Sequence, residues 1–262
     1  MTLPTFADIF CGAGFFSLGF KSAGFTHVFG LDIWDVACKT YELNVGRALC
    51  LDIKKFDATD YEGKIDVVIG SPPCQTFSVA NLKGRKCDMT LTKEFLRVVA
   101  EIKPRIWVME NVPNAYKFVE APFKQVFDMS EYGLLQSRKR CFASNIPLRP
   151  KKEKHKYLSA LQTKKLVNFR EKVIYEAFPT ITCRYNSFTK ISPHIRDKHG
   201  IRPISHIEAM QIQTVPFNFK LSSSLGQRET EQLVGNGVPP LFAYKIAMYL
   251  KQCWDSKYDF AN

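Results

Sequence analysis

The sequence predicts an α/β fold, a mostly parallel sheet with helices on both faces. Over roughly the first 145 residues, short β-branched or aromatic runs alternate with stretches of helical apolar spacing, the order that winds parallel strands through crossover helices. A glycine-rich turn, Phe10-Cys11-Gly12-Ala13-Gly14, stands between the first run and the first helical stretch, as in sheets that bind ligands at their carboxyl edge. A length of 262 residues with 45% apolar content suffices to bury one large domain.

Thr5 to Phe10 is the first predicted strand and Phe16 to Ala23 the first helix, ended by Gly24. Thr26 to Leu31 is a second strand and Val36 to Leu43 a second helix. Asp66 to Ile69 reads as a buried strand, and Ser71-Pro72-Pro73 then stops any helix or ladder. Leu91 to Ile102 is an amphipathic helix closed by Lys103-Pro104, and Arg105 to Met109 another strand. Tyr132 to Ile146 reads as a hairpin turning at Leu135-Gln136-Ser137. From about Pro147 to Gly200 periodicity fades into mixed Lys, Thr, Ser and aromatic residues, which predicts an inserted, loop-rich subdomain. Helical patterning returns at Ile207 to Gln213, followed by a loop with Pro216, the Gly235-Asn236-Gly237-Val238-Pro239-Pro240 segment and a last helix, Leu241 to Cys253. The expected organisation is a main domain of residues 1–146 and 201–262 around an insert of 147–200.

Formal net charge is +12. The excess is local: Gln136 to Arg202 holds 17 Lys/Arg against 4 Asp/Glu, and the rest of the chain is close to neutral. A solvated basic surface is the plain reading. Concentration of the whole excess in one quarter of the chain favours a polyanion-facing segment, most simply nucleic acid. The eight cysteines show neither a CxxC pair nor Cys/His zinc spacing. No secretory leader precedes the first strand and no apolar stretch reaches membrane-spanning length. These features predict a soluble, cytoplasmic protein with reduced thiols and no metal.

Cys74 follows the two prolines on a stiff loop at the carboxyl end of a strand, a setting suited to a nucleophile. Free buried cysteines are commonly inert packing residues, but the prolines and Gln75-Thr76-Phe77-Ser78 argue against a core element here. A glycine turn alone is often a tight connection. Asp32 strengthens it, ending the second strand 18 residues after Gly14, near the spacing of a ribose-hydroxyl acceptor. Asp52-Ile53 ends the next predicted strand and is placed to meet an adenine edge. Together these favour an adenosine-containing cofactor. Glu110, at the end of a buried strand, is either an acid near the same sheet edge or a salt-bridged strand end. Arg138 and Arg140 share one face of a strand of period two, which predicts that they converge on one anion or base edge.

In this order the residues resemble the DNA (cytosine-5)-methyltransferases. Asp8-Ile9-Phe10-Cys11-Gly12-Ala13-Gly14 is similar to the family's first motif, and Pro72-Pro73-Cys74-Gln75 with Phe77-Ser78 to its nucleophile motif. Glu110-Asn111-Val112 resembles the ENV motif, and Gln136, Arg138 and Arg140 the QxRxR motif. Arg202, Glu208 and Gln213 resemble the ninth motif, and Gly235-Asn236 with Val238 the tenth. The resemblance spans nearly the whole chain apart from roughly residues 147–200, and the ordered set is specific where any one motif is not. The chain departs from the family pattern at Phe15, Ser71, Ile207 and Asp32, where Gly, Gly, Arg and Glu are usual; none removes a catalytic group.

The resemblance implies a Rossmann-like methyltransferase fold with S-adenosyl-L-methionine as methyl donor and no metal. It implies Cys74 as nucleophile, Glu110 on the ring N3 and amine, Arg140 on O2, and Arg138 orienting Glu110 or a backbone phosphate. Phe10, Gly12, Ala13 and Gly14 would border the cofactor and Asp32 its ribose. Ile33 would cover the adenine face, with Asp52 and Ile53 at its edge. Pro73, Leu91, Asn236 and Val238 would close the pocket, with Phe15 reshaping its methionine end. Double-stranded DNA would be held by Gln75, Ser78 and Gln136 and read by Arg184, Tyr185, Asn186, Thr189 and Lys190. The expected state is a monomer, with a cognate restriction endonuclease as possible companion. Three alternatives stand beside this: a tRNA methyltransferase on the same scaffold, faintly echoed by Ser187-Phe188-Thr189; an inactive DNA-binding homologue; and a nicotinamide-dependent oxidoreductase, which leaves Cys74 and the basic segment unexplained.

Overall fold

The computed structural model describes residues 3–73, 88–153, 165–167, 178–187, 194–197 and 200–255. Cys74, Gln75, Ser78, Thr189 and Lys190 lie outside the described residues.

A seven-stranded sheet runs through the molecule in the order β3-β2-β1-β4-β5-β7-β6. The strands are β1 (Thr5–Ile9), β2 (Thr26–Asp32), β3 (Ala48–Cys50), β4 (Val67–Gly70), β5 (Ile106–Asn111), β6 (Phe123–Asp128) and β7 (Lys139–Ser144). The first five are parallel, and β7 is antiparallel to both β5 and β6. Successive residues of the central strands enter opposite cores, as a period of two requires. Phe6, Val67, Ile69 and Val108 pack with Phe20, Phe142, Phe242 and Ile246. Ala7, Val68, Trp107 and Met109 pack on the other face with Phe95, Val98 and Ile102.

The first face is covered by α1 (Phe15–Ser22) and α6 (Pro240–Asp255), and the second by α3 (Thr90–Ile102). α1 and α6 approach closely because Gly19 lacks a side chain; a Cβ there would lie 2.4 Å from that of Ala243. α2 (Asp35–Asn44) follows β2. A third cluster joins Phe15 and Ala37 to Phe178, Ile181, Tyr185 and Ile195, and to residues of α4 (His206–Ile212) and α5 (Gln227–Asn236). A three-stranded sheet of β8 (Lys165–Val167), β9 (His194–Asp197) and β10 (Gly200–Pro203) completes the described elements.

Two expectations need correction. The hairpin is not confined to residues 132–146: β7 pairs with β6, upstream, across a connection that includes a 3-10 turn at Met129–Glu131. β6 is an edge strand whose Phe123, Gln125 and Val126 stay exposed, so it carries little apolar signal. α5 also lies where only a loop was expected. Its sequence, QRETEQLVGN, is polar, and its start is set by Glu229 accepting from the Gly226 N–H at 2.9 Å.

Candidate active site

The carboxyl ends of β1, β2, β4 and β5 meet at one edge of the sheet. At β1, Phe10, Gly12 and Gly14 take left-handed backbone with φ of 62°, 51° and 88°. Among the described residues nothing lies within 4 Å of where a Cβ on Gly12 would sit, which leaves the turn's backbone open to a ligand on that side. The Asp32 carboxylate accepts from the Gly12 N–H at 2.9 Å and the Trp34 N–H at 3.0 Å. Each oxygen keeps a lone-pair direction for a hydroxyl. Burial pushes Asp32 up from the usual carboxylate range, against the backbone donors of Trp34, Gly12 and Ile33. Ile33 is 67% exposed, a bare apolar face beside this acid. Asp52 caps a 3-10 turn by accepting from the Lys54 N–H at 3.0 Å.

Open turn, ribose-type acid and exposed isoleucine together fit an adenosine moiety. Leu91 is half-buried against the second core, and Pro73 and Asn236 are exposed. Ile53 and Val238 place their side chains in the cores at 4% and 2% exposure, so contacts from them to a ligand run through backbone. Phe15 is also buried, its ring 5.2 Å from that of Phe219 and against Gly237, where a Cβ would sit 2.2 Å from the ring. It packs the third core instead of projecting into the pocket.

Beneath the turn, Asp8 is buried and burial pushes its carboxyl up to about 8. The Ser17 hydroxyl donates to it at 2.6 Å, Ser17 and the Tyr41 hydroxyl bond at 2.7 Å, and Tyr41 bonds His27 Nε2 at 2.9 Å. This polar chain had no signature in sequence, since its members are scattered over four elements.

At β4 and β5 the chemistry-bearing groups converge. Glu110 is buried, and its Oε1 lies 3.1 Å from Arg140 Nε. Burial raises the Glu110 pKa, opposed by the charges of Arg140 and Arg138 and by a hydrogen bond with the Ser71 side chain. Asn111 donates its amide to the Pro72 carbonyl at 3.0 Å, tying the segment that leads into Cys74 to the strand that carries Glu110.

Three predicted contacts have other roles. Arg138 does not converge with Arg140. It is fully buried, and its guanidinium donates to the carbonyls of Ile181 (2.9 Å), Gly235 (2.9 Å) and Gly237 (3.2 Å). Gln136 is fully buried too: it donates to Gln213 Oε1 at 2.6 Å and accepts from the Ile181 N–H at 3.1 Å. Tyr185 lies in the third core with its hydroxyl 2.8 Å from His206 Nδ1, whereas Arg184 is exposed and Asn186 half-buried. In the ninth-motif segment, Arg202 forks onto Glu208 at 2.8 and 2.9 Å and Gln213 donates to the Val234 carbonyl at 2.7 Å. These polar residues join the 178–187 and 202–237 segments to the sheet.

The family model for C-5 cytosine-specific DNA methylases matches residues 4–129 and 144–252. The chain belongs to this family. Type II methyltransferase M.HgiDI of Herpetosiphon aurantiacus is 28% identical over 93% of each chain. Type II methyltransferase M1.HphI of Haemophilus parahaemolyticus is 40% identical over 43% of this chain, a match spanning about a third (33%) of that protein's length. The fold matches Entamoeba histolytica methyltransferase EhMeth with a TM-score of 0.73 at 15% identity, covering 99% of this chain and 100% of that one. By family the chain is a DNA cytosine-5 methyltransferase. Among the described residues no cluster of His, Cys, Asp and Glu could hold a metal ion, and no helix is long and apolar enough to cross a membrane.

Proposed function

We propose that this chain methylates C5 of a cytosine in duplex DNA through a covalent adduct to Cys74, with S-adenosyl-L-methionine as donor. The observation that carries the reading is the buried Glu110–Arg140 pair at the end of β5, joined through Asn111 to the segment entering Cys74.

Cytosine C5 is a poor nucleophile. Attack of the Cys74 thiolate on C6 turns the ring into an enamine-like adduct whose C5 is a carbon nucleophile. Negative charge then builds toward N3. Burial favours the protonated form of Glu110, which donates to N3 while its other oxygen accepts from the exocyclic amine. Arg140, at Glu110's edge, holds O2. S-adenosyl-L-methionine supplies the electrophilic methyl group when bound at Gly12, Asp32 and Ile33. Loss of the C5 proton then lets Cys74 leave C6. Arg138 is a positioning residue, fixing Gly235 and Gly237 beside Asn236.

The ring is out of reach inside a stacked duplex, so the nucleotide must be flipped out at a cost of about a few kcal/mol. Phosphate contacts from the basic segment offset this. Base reading falls to residues 147–200, where Arg184 and Asn186 offer accessible polar side chains. The type II names of the relatives favour a restriction–modification setting with a companion endonuclease.

Purified protein incubated with methyl-labelled donor and either duplex DNA or tRNA tests the reading. Label should enter DNA and be lost in Cys74→Ala. Label in tRNA alone, or an undiminished rate in Cys74→Ala, would overturn it.

A further inference from the structure

The adenosine side of the site carries two cysteines that methyl transfer does not use. Cys50 ends β3, is the register partner of Asp32 on β2, and is exposed. Cys38 lies in the first turns of α2 and is buried. The Cys38 thiol donates to the Asp32 carbonyl at 3.5 Å and the Cys50 thiol to the Ile33 carbonyl at 3.8 Å. The two sulfurs thus cap consecutive carbonyls of the segment that presents the Asp32 carboxylate and the Ile33 side chain. The register pairing of Cys50 with Asp32 and the bond from Cys38 to the Asp32 carbonyl bring both cysteines to the same residue of β2.

We propose that Cys38 and Cys50 form a reversible disulfide, and that closing it weakens the adenosine pocket. The second half rests on the cofactor reading above; the first does not. The oxidant class is a peroxide. The exposed Cys50 sulfur attacks one peroxide oxygen; the O–O bond breaks, leaving a sulfenic acid on Cys50 and one water. The Cys38 sulfur then attacks the Cys50 sulfur; the S–O bond breaks, and hydroxide leaves with the Cys38 proton as a second water. Two thiols lose two electrons and two protons, and the peroxide is reduced to water. Cys50 is exposed and Cys38 buried, so peroxide reaches Cys50 first and Cys38 serves as the resolving partner. Once joined, neither sulfur has a proton for the Asp32 or Ile33 carbonyl, and the segment loses both caps.

The test uses the full chain with Cys74→Ala, which removes the nucleophile's own oxidation. S-adenosyl-L-homocysteine is titrated calorimetrically before and after brief hydrogen peroxide, and peptides are mapped without reductant. A peptide linking Cys38 to Cys50, two hydrogens lighter than its parts and released by dithiothreitol, is expected. Affinity should fall about tenfold, the scale of two lost hydrogen bonds, and return on reduction. Cys50→Ser or Cys38→Ala in the same background should hold its affinity through peroxide treatment. Cys50 recovered as sulfinic acid, or Cys38 joined to Cys11, would overturn the disulfide. The linked peptide with unchanged affinity would overturn the coupling. Failure of the reduced protein to bind S-adenosyl-L-homocysteine would instead sink the cofactor reading, with the peptide map still deciding the disulfide.

Discussion

On the β1–β2 side of the site, the groups assigned to a ligand lie open: among the described residues Gly12 has no neighbour where a Cβ would go, and Ile33 is exposed. On the β5–β7 side, Gln136, Arg138 and Tyr185 are buried among protein partners. Both sides match family motifs, yet one leaves its side chains open to the proposed ligand and the other mostly secures protein segments to one another. A motif fixes residue type and spacing; burial and hydrogen-bond partners decide what the residue recognises.

Removing Arg138 should break this contrast most visibly. Arg138→Ala leaves the buried carbonyls of Ile181 and Gly235 without this donor and should cost about 3 kcal/mol, read as a lower urea midpoint; Arg138→Lys should not restore the fork. An unchanged midpoint would make Arg138 a surface contact after all. Glu110→Gln should do the opposite. Activity should drop about a hundredfold, as for other lost transition-state donors, with the midpoint unchanged or raised because an ionisable group leaves the interior. Parallel losses of stability and rate would contradict its chemical role.

Ile33→Ala sharpens the other side. An exposed residue should leave stability within about 0.5 kcal/mol, while S-adenosyl-L-homocysteine binding weakens about tenfold through lost apolar contact. Equal affinity in the two proteins would remove Ile33 from the adenine face. The smallest effect concerns Asp8. Burial raises its folded pKa from the ordinary 3.8 to about 8, so the folded state binds the extra proton and stability falls as pH rises from 3.8 toward 8. His27, lowered from 6.5 to about 4, loses stability in the opposite sense, as pH falls from 6.5 to 4. Between pH 6.5 and 8, unfolding free energies of Asp8→Asn should therefore decline less steeply than those of the parent. Identical slopes would mean that Asp8 is ionised in the fold.

Much of the sheet was legible because the β1, β4 and β5 runs are apolar on both faces, a pattern that only a covered sheet satisfies. β6 escaped because an edge strand needs no such pattern, and α5 because capping and burial of Thr230, Leu233 and Val234 support an otherwise polar segment. The Arg138 and Arg140 spacing was read correctly as a period but wrongly as a shared target. Period two assigns a face, whereas the partner of Arg138 is set by Ile181 and Gly235, 43 and 97 residues away. No local pattern encodes such a distance.

The bond from Asn111 to the Pro72 carbonyl has a mechanical consequence. β4 and β5 are adjacent parallel strands with Gly70 opposite Met109, and this amide extends their ladder one rung past its end. The approach to Cys74 and the seat of Glu110 are thereby gauged by strand spacing, about 4.8 Å, and not by how far a loop happens to fold. In the proposed reaction such a gauge is indifferent to the DNA sequence on the enzyme: changes in the segment proposed to read it would retune which site is bound without loosening the tolerance at which carbon and sulfur meet.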